Sequence, residues 1–480
     1  MNFVSLVSTD NKIYGRIEKD VFEDIKLTQL FSDNVISVMQ QLPVREDIVL
    51  RQGVFKALDE EKTVEFFSLL LSKLRRLRDI FTVYLGTSSE KEKQYLFCAL
   101  MHYFCDFCTE ASVRVRDEGL IADFCKSFAD IVSEAGFDNM KEETDKLYSR
   151  FFGEFGILIA EDKLVLSSKP KEGYIEIIRR CAGDMNIALR DCDYMPRRVS
   201  KETVETLSVL YPELWSDLAS FYTKYSDYPK KEILKYIDQL DFYLSVHSLK
   251  KRICVLGIPT CYASLTDKQR IRIMTAHDIT LITKECDNII PNDVIFDTDD
   301  PFFFLSGANG GGKTTYLRTC GVNVIFSLLG CPVPAVSAEL CMLNTVAAHF
   351  PRDERFDTDG RFLDEQRRVD ELVLSLGTRS LVLLNETYST TNETKAAEMT
   401  VMLANKLYSD KQFGVYVTHQ KSVTKESIPL LCCRVDENDE NKRTYKIERI
   451  DNIGISHAED ILKKYSLSFK DLTERFGDLG

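Results

Sequence analysis

Glycine and proline are scarce, 22 and 12 residues in a chain of 480, where a combined share near ~12% is usual. So few turn-formers argue against a sandwich of many short strands and favour long helices. No run approaches the ~18 apolar residues that a membrane-spanning helix needs. The opening MNFVSLVSTDNK lacks the charged-then-apolar pattern of a leader. The expectation is a soluble, cytoplasmic chain without membrane contact, whose 14 cysteines stay reduced. Positive charge is in deficit: 62 Lys and Arg against 75 Asp and Glu leave −13, which excludes a globally basic nucleic-acid binder. Any nucleic-acid contact then falls to a local patch or to a clamp made by two chains. With 44% hydrophobic and 29% charged residues, the chain can still build real cores. At roughly 150 residues per domain, about two to four domains are expected.

The first half reads as mostly helix, from Phe22 to about Arg252. Glu60–Arg78 has a strong apolar face with a basic end. Ile233, Ile237, Leu240, Leu244 and His247 recur at spacings of three and four, which makes His247 a core or interface histidine on a helix opened by Pro229. Gly156–Ala160 and Lys163–Ser167 read as a hairpin. Cys98, His102, Cys105 and Cys108 read as buried groups in an aromatic helix rather than zinc ligands, because no second paired motif accompanies them. Past Gly257-Ile258-Pro259, short apolar runs alternate with amphipathic ones: Phe302–Leu305, Tyr316–Leu329, Leu381–Leu384, Glu393–Leu407 and Phe413–Val417. That alternation indicates an α/β domain with a largely parallel sheet. The chain therefore divides into residues 1–257, helical, and residues 258–480, α/β.

Gly307-Ala308-Asn309-Gly310-Gly311-Gly312-Lys313-Thr314 fits GxxxxGK[ST], between an apolar strand and a helix that continues through Thr315. Glycines let backbone N–H groups turn in around phosphates, and the helix N-terminus adds its dipole. Lys313 reaches the β- and γ-phosphates, and the Thr314 hydroxyl can ligate Mg²⁺. The run Leu381–Leu384 ends in Asn385-Glu386, at the strand end where α/β sheets bind ligands. An Asp is usual at the first position; Asn385 brings an oxygen but no charge, so metal affinity and hydrolysis are expected to be weaker. Glu386 is the candidate general base. A third strand ends in Thr418-His419, which places His419 as a γ-phosphate sensor.

Together with LLGCPVPAVSAEL after the phosphate loop, these motifs resemble the ATPase domain of MutS proteins. Ile289-Ile290-Pro291-Asn292-Asp293 is similar to the family's stretch beside adenine, which implies that Ile289 and Ile290 pack on the base. NETYSTTNETKAAEM resembles the acidic strand end and the Ser/Thr-rich dimer-facing loop. Gly454-Ile455-Ser456 with HAEDILKKYSL resembles the C-terminal helical region used for dimerisation, and Arg51-Gln52-Gly53-Val54-Phe55 resembles a signature of the core and lever domain. The implied architecture is multidomain: a mostly α-helical core/lever domain, then an ABC-like α/β P-loop NTPase domain with C-terminal helices from about residue 454. Three departures stand out. Asn385 replaces Asp. Gly360-Arg361-Phe362-Leu363-Asp364-Glu365 stands where the family places a serine against the partner's γ-phosphate, so Arg361 is the remaining candidate for that contact. No room is expected for the N-terminal mismatch-reading and connector domains, and Phe152-Gly153-Glu154 is read as a coincidental match to the reader's Phe-x-Glu.

The resemblance implies a homodimeric, ATP- and Mg²⁺-dependent ATPase that clamps mismatched, branched or otherwise non-standard DNA by shape. Local basic groups at Arg75, Arg76, Arg78, Arg197, Arg198, Lys250, Lys251 and Arg252 are its candidate contacts. The alternative is an ATP-gated interaction protein that hydrolyses slowly and has a protein or ribosomal partner; a P-loop enzyme of small-molecule chemistry lacks a recognisable substrate pocket.

Overall fold

The computed structural model describes residues 3–9, 12–116, 118–152, 156–160, 163–167, 204–205, 208–209, 211–284, 289–307, 309–351, 358–388, 393–419, 428–435 and 443–450. Its contacts form two compact units. One comprises Met1–Ser5 with Glu61–Leu240; the other comprises Leu6–Glu60 with Asp241–Gly480.

The first unit is helical. Helices Glu61–Gly86, Glu90–Ala111, Leu120–Val132, Phe137–Phe152 and Pro212–Tyr225 pack around rings and thiols. Ser89 caps the second of these by accepting from the Glu92 N–H, the bond an N-cap serine is suited to make. In the first, Phe67, Leu70, Leu74, Leu77 and Phe81 are buried at helical spacing, so its apolar face is the inner one. The expected hairpin forms as Gly156–Ala160 paired antiparallel with Lys163–Ser167. Cys98, Cys105 and Cys108 are buried, and burial pushes the Cys105 thiol up to about 12. His102 instead bonds the Asp145 carboxylate at 2.8 Å and stacks on Tyr148 at 3.8 Å. Among the described residues no group of three or more His, Cys, Asp or Glu side chains could hold a metal.

The second unit is α/β. Its six-stranded sheet runs Thr345–His349, Ser380–Asn385, Phe413–Val417, Phe302–Ser306, Leu430–Val435, Arg443–Ile450. The first five strands are parallel and the last is antiparallel. Phe302, Phe304, Val382, Leu384 and Tyr416 form a buried cluster with Val369, Ala396, Leu403 and Leu407, which belong to helices Thr358–Ser375 and Glu393–Ser409. On the other face, Leu383 abuts Gly321 of helix Lys313–Leu329. A second sheet orders Ser264–Leu265, Ser337–Leu340, Arg270–Ala276 and Asn292–Asp297.

Residues 6–60 are where the compact units differ from a division at residue 257. They pack on the α/β unit: Thr345 Oγ1 donates to the Arg16 carbonyl at 2.5 Å, and Gln52 Nε2 to the Ala263 carbonyl at 2.8 Å. Gly330 ends the phosphate-loop helix with φ +73°, and a Cβ there would lie 2.7 Å from the Ile48 carbonyl oxygen. Helical periodicity marks which face of residues 45–57 is buried but not which unit covers it. The later boundary falls between Leu240 and Asp241, inside helix Tyr236–Val255. That helix begins after a 3-10 turn, Lys231–Lys235, rather than at Pro229. Among the described residues no helix is long and apolar enough to cross a membrane.

His247 is 4% exposed, and neither ring nitrogen has a hydrogen-bond partner among the described residues. Burial, then the Lys251 charge, pull its pKa below 6.5; Asp59 opposes them and Lys250 adds to them. The unfolded chain therefore takes up a proton below pH 6.5 that the folded chain refuses, so this residue lowers stability as pH falls from 6.5 toward its depressed value. His247→Leu is expected to shrink the loss of denaturation midpoint between pH 7 and pH 5, compared with the wild type in urea titrations at both pH values.

Candidate nucleotide site

Strand Phe302–Ser306 delivers the chain to the loop. Gly307, Gly310 and Gly312 have φ of +136°, +72° and +97°, backbone that L side chains rarely adopt. Gly312 caps helix Lys313–Leu329, so the helix's unpaired N–H groups open at the loop. Lys313 is 6% exposed, and its Nζ donates to the Gly307 carbonyl at 2.9 Å. Burial lowers its pKa, and the neighbouring Cys433 and Glu386 raise it. A buried cation beside the unpaired N–H groups of a helix start is suited to a polyphosphate. Thr314 and Thr315 are half-buried on the first turn; Gly311 is buried, and Asn309 and Gly310 are exposed. Ala308 lies outside the described residues.

Strand Ser380–Asn385 is buried along its whole length and is followed by Glu386. Asn385 is 8% exposed, and its Oδ1 has no hydrogen-bond partner among the described residues. An orphaned, buried amide oxygen fits a hydrated cation held also by the Thr314 hydroxyl. Glu386 and His419 meet at the ends of neighbouring parallel strands, with Oε1 and Nε2 2.8 Å apart and both side chains partly exposed. A carboxylate so placed can take a proton from water while the imidazole fixes its direction.

Ile289 is buried and Ile290 half-buried. The segment after them is tied to the loop's helix, since the Tyr316 hydroxyl donates to the Asp293 carbonyl at 3.0 Å. Asn292 bonds the Tyr445 carbonyl at 3.0 Å and the Ile447 N–H at 2.8 Å. These bonds bring Tyr445 to the loop, and the pairing of Cys432 with Ser306 brings Cys433; sequence reading missed both. A Cβ on Gly312 would lie 3.4 Å from the Tyr445 ring, and one on Gly307 3.3 Å from Cys433 Sγ. No local motif announces either residue, because both arrive on the strands Leu430–Val435 and Arg443–Ile450. Arg361 lies on helix Thr358–Ser375, but its side chain is outside the described residues, as are Arg197, Arg198, Gly153, Glu154, residues 389–392 and everything from residue 451. Of the basic groups considered for DNA, Arg78 pairs with Asp79 at 3.1 Å and Lys250 with Asp59 at 2.5 Å.

Comparison with known proteins converges on this region. Residues 303–452 match the family model for MutS domain V. The C-terminal part of the chain is MutS-like. DNA mismatch repair protein MutS of Petrotoga mobilis is 22% identical over 325 residues, 67% of this chain and 38% of that protein. MutS of Lactobacillus gasseri is 28% identical over 171 residues, 33% of this chain and 19% of that protein. DNA mismatch repair protein MSH3 of Candida glabrata is 26% identical over 240 residues, 48% and 23% respectively. The chain thus spans less than two-fifths of the length of these relatives. The phosphate loop from residue 307, Asn385-Glu386, His419, Cys433 and Tyr445 all fall within the MutS domain V match, whereas Ile289 and Ile290 precede it.

Removing the buried ammonium takes away a charge-assisted contact to phosphate, roughly 1.5–3 kcal/mol. Lys313→Ala is expected to weaken binding of a fluorescent ATP analogue roughly 10- to 100-fold in an equilibrium titration, with the thermal melt little changed.

Proposed function

We propose that this chain is a MutS-like ATPase that couples nucleotide binding to the handling of non-standard DNA. The observation that carries the enzymatic part is the Glu386–His419 pair at 2.8 Å, beside a phosphate loop whose lysine feels the Glu386 charge. The DNA part rests on the mismatch-repair relatives; net charge of −13 and the internally paired Arg78 and Lys250 lend it no electrostatic support.

In this reading, backbone N–H groups of residues 307–314 and Lys313 hold the β- and γ-phosphates, and Tyr445, Ile289 and Ile290 flank the base. Thr314 and Asn385 are the residues that would hold Mg²⁺, which when bound supplies positive charge against the phosphate oxygens. Glu386 accepts a proton from a water whose oxygen attacks the γ-phosphorus. The bond from that phosphorus to the β–γ bridging oxygen breaks, and ADP leaves with the electron pair. His419 holds the Glu386 carboxylate in line. Two copies of the chain pair through their ATPase domains, Arg361 meeting the neighbour's nucleotide, and the C-terminal helices from about residue 454 complete the pairing.

Asn385 favours a second reading, a nucleotide-gated interaction protein that turns over slowly and works with a protein or ribosomal partner. A neutral amide binds a divalent cation less firmly than a carboxylate does.

Glu386→Gln is expected to cut steady-state phosphate release by about 10²–10⁴-fold while ATP binding persists. Asn385→Asp should raise turnover if missing metal charge limits the wild type; unchanged turnover would remove that explanation for slow hydrolysis. For DNA, four-way-junction binding that responds to ATP and weakens with salt is expected. Its absence at about 50 mM salt, where phosphate contacts are strong, in protein that still binds ATP would overturn the DNA reading in favour of the second.

A further inference from the structure

Glu386 has φ +50°, and two residues on Tyr388 has φ +67°. Non-glycine residues keep such backbone only where the surroundings over-determine it. Here they do. The Thr387 carbonyl accepts from the Tyr416 hydroxyl at 3.0 Å, Thr387 Oγ1 meets His349 Nδ1 at 3.1 Å, and the Tyr388 N–H donates to Glu365 Oε1 at 3.0 Å. The Glu386 N–H bonds the Val417 carbonyl at 3.0 Å, but that bond merely extends the sheet and leaves the following turn undetermined.

The three anchors come from strand Phe413–Val417, the end of strand Thr345–His349, and helix Thr358–Ser375. Two use groups that are neutral or can be. The third is a carboxyl group 5% exposed, and a buried carboxylate is costly unless its oxygens are used. An N–H bonded to a carboxylate is also stronger than one bonded to a neutral acceptor. Glu365 is one turn before Val369, which shares the buried cluster with Tyr388, so the same helix face holds both the ring and the N–H of Tyr388.

We propose that Glu365 is a positioning residue for hydrolysis. By fixing the Tyr388 N–H it holds the turn with Glu386 and Tyr388 in left-handed backbone and keeps the Glu386 carboxylate at His419. The proposal rests on the reading of Glu386 as the general base. Glu365 bonds the turn that carries the base, whereas the phosphate loop is held by other contacts. Its loss should therefore act on turnover and spare nucleotide binding. The glutamine variant keeps a side-chain oxygen at the same reach and should preserve the anchor.

The test uses the full chain as wild type, Glu365→Ala, Glu365→Gln and Tyr416→Phe, measuring kcat and KM for ATP, the Kd of a fluorescent ATP analogue, and the circular-dichroism melt. Glu365→Ala is expected to lose kcat at least tenfold with KM and Kd within threefold of wild type. Glu365→Gln should retain a third or more of the turnover. Tyr416→Phe, which removes a second anchor of the same turn, should show a partial loss with the same kcat–KM split. Full turnover in Glu365→Ala overturns the proposal, as does a matching loss of affinity or a glutamine variant as inactive as the alanine one. If Glu365→Ala does not fold, Tyr416→Phe decides, and unaltered kcat there overturns it. A wild type that binds ATP without turning it over shows instead that the hydrolytic reading has failed, and this proposal fails with it.

Discussion

Strand Ser380–Asn385 is covered on both faces, every residue of it buried, and this constraint organises the site. A strand packed between two helical layers has no surface on which to carry chemistry. Polar groups sit only at the two ends of its aliphatic run, Ser380 before it, and Asn385, Glu386 and Thr387 crowd into its carboxyl end. The same holds for Phe413–Val417, which delivers Thr418 and His419, and for Phe302–Ser306, which delivers Gly307. Parallel pairing puts all three ends at one edge of the sheet. The Glu386–His419 contact and the environment of Lys313 follow from that register.

Because those strands are buried on both sides, they are written as uninterrupted apolar runs, and this is why they could be read. Phe413–Val417 has the limits expected of it, and Phe302–Leu305 and Leu381–Leu384 extend by only a residue or two. The hairpin at Gly156–Ala160 was legible for another reason, the two charged residues between two apolar runs. What could not be read were pairings between distant segments. Cys433 reaches Gly307 because Cys432 pairs with Ser306, a register no local pattern encodes. Tyr388 was equally opaque: a left-handed residue without glycine or asparagine gives no signal, since its conformation is imposed by Glu365 and by the turn's other anchors.

The N-terminal segment teaches the same lesson at larger scale. Arg51 is 3% exposed; its Nε donates to the Val7 carbonyl at 2.7 Å, and its guanidinium lies 5.8 Å from the Phe242 ring centre. Burial lowers its pKa, against the pull of Tyr243, Cys331 and Asp47. Asp47 in turn accepts from the Thr9 N–H and hydroxyl, both at 3.0 Å. Arg51 and Gln52 were legible as a family-like signature. Their physical task here is to seat residues 6–60 against Gly330 and Ala263. Buried polar groups of this kind specify one arrangement among several that apolar packing alone would permit.

A carboxylate in place of Asn385 would add a second negative charge next to Glu386, in a strand end already short of solvent, and like charges so close resist joint ionisation. The amide avoids that conflict and leaves Glu386 as the negative charge acting on Lys313. Its cost is borne by cation binding, because the orphaned Oδ1 offers a dipole where a carboxylate would offer a charge. The substitution therefore separates two properties that an aspartate would join. On the proposed reading, the turn that carries Glu386 stays held by Glu365, Tyr416 and His349, while a neutral amide grips a divalent ion less firmly than a carboxylate would.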